Sequence, residues 1–283
     1  MNHLIILFLR NLLSIAARWL PMWFLYSVSA FFAGLYFFLG DTARLIRNVF
    51  QNFNGLSQDA VRRLIRDLLV NWYNASLKRV ICGSLPRKKV EEMIIPVGFQ
   101  YIDEALRLGR GVVLFSMHSA PIPMMYYIAL RGYKVNLLVT RRAYALLKEL
   151  YHDRINLITS FREMEQCLKR NEILFMLIDG REGKRPIKAR LNGKEILFVP
   201  GIVILAKKAN APLVPFVNLR QKRGKLKCIV KRMIKLDLSN LDNQDRIREE
   251  IQKCVNIVEP YFQENPNQFY IFIRSRNKSS FYV

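Results

Sequence analysis

The apolar, β-branched run Gly111-Val112-Val113-Leu114-Phe115-Ser116-Met117 constrains the fold more than any other segment, because it reads as a strand buried on both faces. A strand of that kind needs helices above and below it, and the flanking pattern supplies them. Tyr101 to Leu108 predicts a short helix ended by Gly109. Beyond the strand the chain alternates: helix 121–130, strand 134–140, helices 143–151 and 161–169, strand 172–178, helix 201–208 stopped by Asn210, strands 213–219 and 227–234, and an amphipathic helix marked by Ile247, Ile251, Val255, Val258 and Phe262 that ends before Pro266. This order predicts an α/β fold with a mixed, largely parallel central sheet flanked by helices. Upstream, Val61, Leu64, Ile65, Leu68 and Leu69 make Gln58 to Val80 an amphipathic helix, with Ser57 as its cap, Asp59 in its first turn and Arg62, Arg63, Arg66 and Asp67 on its polar face.

The buried strand ends at His118, and a turn with Pro121 and Pro123 follows. A neutral imidazole at a strand end is well placed for general-base chemistry near neutral pH. From its position alone His118 serves equally well as a core histidine satisfied by a backbone carbonyl.

At 283 residues, with no Ser-, Gly- or Pro-rich linker, the chain supports one large domain plus an N-terminal segment. Trp19 to Gly40 is a stretch of 22 residues without a charge, close to the ~20 that a bilayer core requires. Pro21 near its start, Trp19 and Trp23 at its edge, and arginines on both sides (Arg10, Arg18, Arg44, Arg47) favour a monotopic hydrophobic anchor over a spanning helix. The expected organisation is therefore a membrane anchor over 1–40 and an α/β domain over 41–283.

Forty-five Lys and Arg against 22 Asp and Glu give a formal charge of +23, which calls for an anionic partner. Two stretches concentrate the excess: Arg181 to Lys194, with Glu182 as its one acid, and Arg220 to Lys235, with none. Such runs are often only solvated faces, but this pair suits a surface that meets phosphates. Nucleic acid is not the expected partner, since no helix-turn-helix, RNP-like, zinc-finger or G-x-G-x-x-G pattern is present and the N-terminus is hydrophobic. Cys82, Cys167, Cys228 and Cys254 lack metal-ligand spacing and predict reduced structural thiols, with no metal and no cofactor.

The segment Gly111 to Met125, GVVLFSMHSAPIPMM, resembles the strand-and-turn signature of the late acyltransferases of lipid A biosynthesis, within the glycerolipid and lysophospholipid acyltransferase superfamily. The resemblance extends along the chain: Thr42 to Val80 is similar to the family's helical lead-in, Thr140-Arg141-Arg142 to the strand that ends in an arginine, Ile173 to Arg220 with Phe198-Val199-Pro200-Gly201 and Ala211 to Phe216 to its most specific stretch, and Gln268 to Arg276 to its closing aromatic and arginine strand.

The family places a Glu or Asp five residues after the histidine, where this chain has Pro123. The resemblance implies acyl transfer from an acyl carrier protein or coenzyme A thioester to an anionic lipid or glycolipid at the cytoplasmic face of the inner membrane, with His118 as base. Three outcomes follow from Pro123. Another carboxylate, best Asp179, orients His118; or His118 works alone or with a carboxylate supplied by an unusual substrate, on an atypical, more nucleophilic acceptor such as an amine; or the site is inactive and the protein is a scaffold or lipid-binding partner. Arg141, Arg142 and Arg181 are the expected phosphate-binding residues, since a guanidinium fork matches phosphate oxygens. Pro200 and Gly201 are expected beside the acyl chain. Asp179, followed by Gly180, is also a good turn cap, and Phe198 to Leu205 is equally good plain core.

Overall fold

A computed structural model describes residues 12–13, 15–17, 19–39, 56–151, 154–179, 186–237 and 243–270. Helices are α1 (Met22–Leu39), α2 (Gln58–Ile81), α3 (Arg87–Met93), α4 (Gln100–Leu106), α5 (Ile122–Leu130), α6 (Arg141–Tyr151), α7 (Phe161–Lys169), α8 (Gly201–Ala209) and α9 (Gln244–Glu264). Strands are β1 (Ile94–Val97), β2 (Val112–Ser116), β3 (Val135–Leu138), β4 (Ile155–Ile158), β5 (Ile173–Leu177), β6 (Ile187–Leu191), β7 (Lys194–Phe198), β8 (Leu213–Arg220) and β9 (Leu226–Val230).

Among the described residues seven strands form one sheet in the order β1-β9-β8-β2-β5-β3-β4. Strands β8, β2, β5, β3 and β4 are parallel, β9 runs antiparallel to β8, and β1 is parallel to β9. The expected mixed, largely parallel sheet is therefore the observed one. β2 lies near its middle with every residue buried, because its alternate side chains feed two different cores. Val113, Phe115 and Met117 pack with α2, α7, α8 and α9, while Val112 and Leu114 pack with α3, α4 and α5. Gly111 opens the strand at φ +65°, and a Cβ there would lie 2.7 Å from the Leu168 Cα, so the close approach of α7 requires glycine.

Three features differ from the sequence expectation. β1 and β4 are additional short strands, and residues 187–198 form an antiparallel hairpin, β6–β7, where the sequence showed only a basic run. β3 ends at Leu138, so Arg141 and Arg142 open helix α6 instead of closing the strand, and the Thr140 hydroxyl caps that helix by accepting from the Ala143 N–H at 3.1 Å. The closing aromatic strand lies, from residue 271 on, outside the described residues.

Helix α1 is 18 residues long, about 27 Å, and packs along α2 through buried Leu25, Tyr26 and Ala33. Among the described residues no helix is long and apolar enough to cross a membrane. The other side of α1 carries exposed Trp23, Phe24, Phe31, Phe32 and Phe38, with Trp19 exposed just before it.

Candidate active site

Parallel register brings the site together. Ser116 at the end of β2 pairs with Leu177 at the end of β5, and the same offset carried two residues further sets His118 against Asp179. The Ile178 N–H donates to the Ser116 carbonyl at 2.9 Å, so the alignment holds past the strand ends. Asp179 is fully buried, and its Oδ1 accepts the His118 backbone N–H at 2.7 Å while lying 2.8 Å from His118 Nδ1. Asp179 Oδ2 has no side-chain or backbone partner among the described residues. A buried carboxylate needs a compensating donor, and the imidazole supplies one. This contact fixes Nδ1 as the protonated nitrogen. The opposite ring nitrogen, Nε2, therefore faces away from Asp179, on a side chain that is 25% exposed.

The turn after His118 leads directly into α5. Pro121 caps that helix and Pro123 occupies its buried first turn, where a missing N–H costs no hydrogen bond. The carboxylate position expected after the histidine is thus a packed turn of helix. The acid that meets His118 comes from a neighbouring strand 61 residues downstream.

The other candidate residues distribute around this end of the sheet. The Val199 N–H donates to the Ile178 carbonyl at 2.9 Å, which brings Pro200 and Gly201 alongside the strand that carries Asp179. Pro200 is buried as the cap of α8, and a Cβ on Gly201 would find Val199 and Met176 at ordinary contact distance, so neither residue is held by backbone strain. Arg141 is exposed at the start of α6, beyond the end of β3, and β3 is separated from β2 by β5. Arg142 lies in the same helical turn. Arg181 lies outside the described residues.

On the other side of His118 the structure gathers residues that the sequence pattern did not single out. Asn71, Asn74 and Lys78 lie on the buried face of α2, and Asn218 and Arg220 on β8 face them. The one signal in the sequence is positional: 71, 74, 75 and 78 continue the helical stripe begun by Val61, Ile65 and Leu68, so polar residues there are buried polar residues. The Asn218 amide donates to the Ala120 carbonyl at 3.3 Å, and the Tyr270 N–H donates to the His118 carbonyl at 2.8 Å, so both hold the turn that carries His118.

A strand-end histidine held in one tautomer by a buried carboxylate is the arrangement of a general base. The family model described as bacterial lipid A biosynthesis acyltransferase matches residues 1–279. A comparison with curated proteins gives no match.

Proposed function

The chain belongs to the bacterial lipid A biosynthesis acyltransferase family, and from that membership we propose that it moves a fatty acyl group from a thioester donor to a hydroxyl of a lipid or glycolipid acceptor, with His118 as general base and Asp179 as its orienting acid. The 2.8 Å contact between His118 Nδ1 and Asp179 Oδ1 carries this assignment, since it supplies from β5 the function that Pro123 cannot perform. In the reaction, His118 Nε2 takes the acceptor hydroxyl proton as that oxygen attacks the thioester carbonyl. The tetrahedral intermediate then collapses, the C–S bond breaks, and the imidazolium returns the proton to the departing thiolate. The Asp179 carboxylate stabilises the imidazolium between the two steps.

Donor and acceptor follow the same membership: an acyl carrier protein or coenzyme A thioester, and an anionic lipid or glycolipid at the cytoplasmic face of the inner membrane. The exposed aromatic side of α1 and the chain's +23 charge support attachment at a membrane surface, through the segment 1–40, without a span. Arg141 and Arg142 sit at the end of the sheet where substrates of open parallel sheets bind, and are assigned to substrate phosphate together with Arg181. Pro200 and Gly201 are assigned to the acyl-chain side of the site.

Acylation of a lipid acceptor by the full-length protein, with carrier-protein and coenzyme A thioesters run in parallel, tests the assignment. His118→Ala is expected to abolish turnover with the fold intact. Equal turnover by mutant and wild type would remove His118 from the base role.

A further inference from the structure

The polar cluster behind His118 has more charge and more hydrogen-bonding capacity than the catalytic turn uses. Asn74 is 2% exposed and neither its amide nitrogen nor its oxygen has a partner among the described residues; Asn218 is 1% exposed and its Oδ1 has none. Each such atom costs on the order of 1–3 kcal/mol when buried unpaired. Both side chains line a small cavity of about 20 Å³, with Asn71, Lys78, Arg220 and Gln268. A second chamber of about 330 Å³ adjoins it, sharing Asn71, Arg220 and Gln268 and adding Lys222 and Arg223 of the basic turn between β8 and β9.

The charges in these walls do not balance. Lys78, 3% exposed, donates to the Gly224 carbonyl at 2.9 Å and lies over the Tyr26 ring, while Arg220 donates to Asn71 Oδ1 at 2.6 Å. Among the described residues neither cation is ion-paired with an acid. The one acid on the outer rim, Asp67, lies 3.4 Å from Arg66 Nε. Burial lowers the Lys78 ammonium to about 8, and nearby Arg220 adds to that lowering. Two like charges held beside the uncommitted amide N–H of Asn74 make a site complementary to an anion, and a guanidinium with several N–H donors suits a multi-oxygen anion over a halide. The inner cavity accommodates a single oxygen, and the outer chamber a whole phosphate.

We propose that these adjoining cavities, between α2 and the β8–β9 turn, form a phosphoryl-binding site in which Arg220, Lys222 and Arg223 hold the phosphate and the Asn74 amide N–H and Lys78 donate to its innermost oxygen. The site is distinct from the arginines assigned at α6 and does not depend on acyl transfer. The phosphoryl group can belong to a lipid headgroup or to a soluble phosphate ester, and the two are separable by experiment.

The full-length protein in non-ionic detergent is titrated with inorganic phosphate, against chloride at equal ionic strength, while its thermal unfolding midpoint is followed. In parallel it is placed in nanodiscs of phosphatidylcholine with and without phosphatidic acid. Saturating phosphate, at a hundredfold excess over Kd, is expected to raise the midpoint by about 5 °C. A response to inorganic phosphate assigns a soluble ligand; a response confined to phosphatidic acid assigns a lipid headgroup.

Asn74→Asp sets a carboxylate one helical turn from Lys78, so this variant is expected to fold at least as well as the wild type and to lose the response. Arg220→Gln is expected to lose it as well, and His118→Ala, though inactive, to keep it. Absence of a phosphate-specific shift in both arms, or an equal shift in wild type, Asn74→Asp and Arg220→Gln, would overturn the proposal. A phosphate-specific shift in a wild-type protein that shows no acyltransferase activity would leave this site standing and overturn only the acyl-transfer assignment.

Discussion

At Asp179 a single carboxylate oxygen serves both the backbone N–H and the ring nitrogen of His118, so the turn's position and the ring's tautomer depend on the same atom. Pro123→Glu is accordingly expected to give no gain in acyl transfer, because the Nδ1 position is already occupied. It should instead lower stability by on the order of 1–3 kcal/mol, since a carboxylate replaces a buried apolar ring; activity assays and thermal unfolding on the one variant check both effects. Lys78 makes a second, independent prediction. Its folded pKa of about 8 lies below the ordinary 10.5, so below pH 8 both folded and unfolded states carry the charge and the burial penalty is complete. As pH rises from 8 toward 10.5 the folded state releases a proton that the unfolded state retains, and the contribution of Lys78 to stability rises, by on the order of 3 kcal/mol over the window. Buried Cys82 and Cys254 act in the opposite sense above pH 9, because burial pushes both thiols up to about 12 while the unfolded thiols ionise. Denaturant unfolding of the wild type and Lys78→Met between pH 7 and pH 10 checks this, since Cys254 has no coupling to Lys78 and acts alike in both, and the difference between the two is expected to shift in favour of the wild type as pH rises.

Among the elements, the β6–β7 hairpin shows what local chemistry can and cannot reveal. Its turn is Asn192-Gly193, both with positive φ (52° and 74°), a dipeptide that signals a tight hairpin. The flanking Lys188, Arg190 and Lys194 drew attention to charge, although Ile187, Ala189 and Leu191 alternate with them in strand fashion. A Cβ on Gly193 would meet nothing within 4 Å, so Gly193→Ala isolates the conformational cost and is expected to lower stability by about 1 kcal/mol, measured by chemical denaturation. β2, β5 and β8 were legible because uninterrupted apolar runs of that length have few alternatives. β1 and β4 were not, being four residues each, and β1 contains Pro96. His118 was legible from its place at a strand end, and Asp179 from the same logic on β5. Their contact required the register between two strands 61 residues apart, which no local pattern encodes. Asn74, Lys78 and Asn218 stayed hidden because a polar residue on an apolar stripe looks like an interruption until its neighbours across the core are known.

For the whole molecule, the central sheet sets the His118 turn at the end of its parallel strands while α1 lies on the outside of α2 with its aromatic side exposed. Deleting residues 1–40 is expected to release the protein from membranes, or to leave attachment that salt removes, because the remaining contact would be through basic surface alone. Sedimentation with anionic liposomes at low and high salt checks this; a truncated protein still bound at high salt would place the attachment elsewhere. The direct test of acyl transfer itself is the turnover number of Asp179→Asn on a lipid acceptor. An amide keeps the shape but leaves His118 without its anionic partner, and kcat is expected to fall by on the order of 10⁴, with the folded structure retained. A kcat within a few-fold of wild type would contradict the assignment of His118 and Asp179 as one working pair.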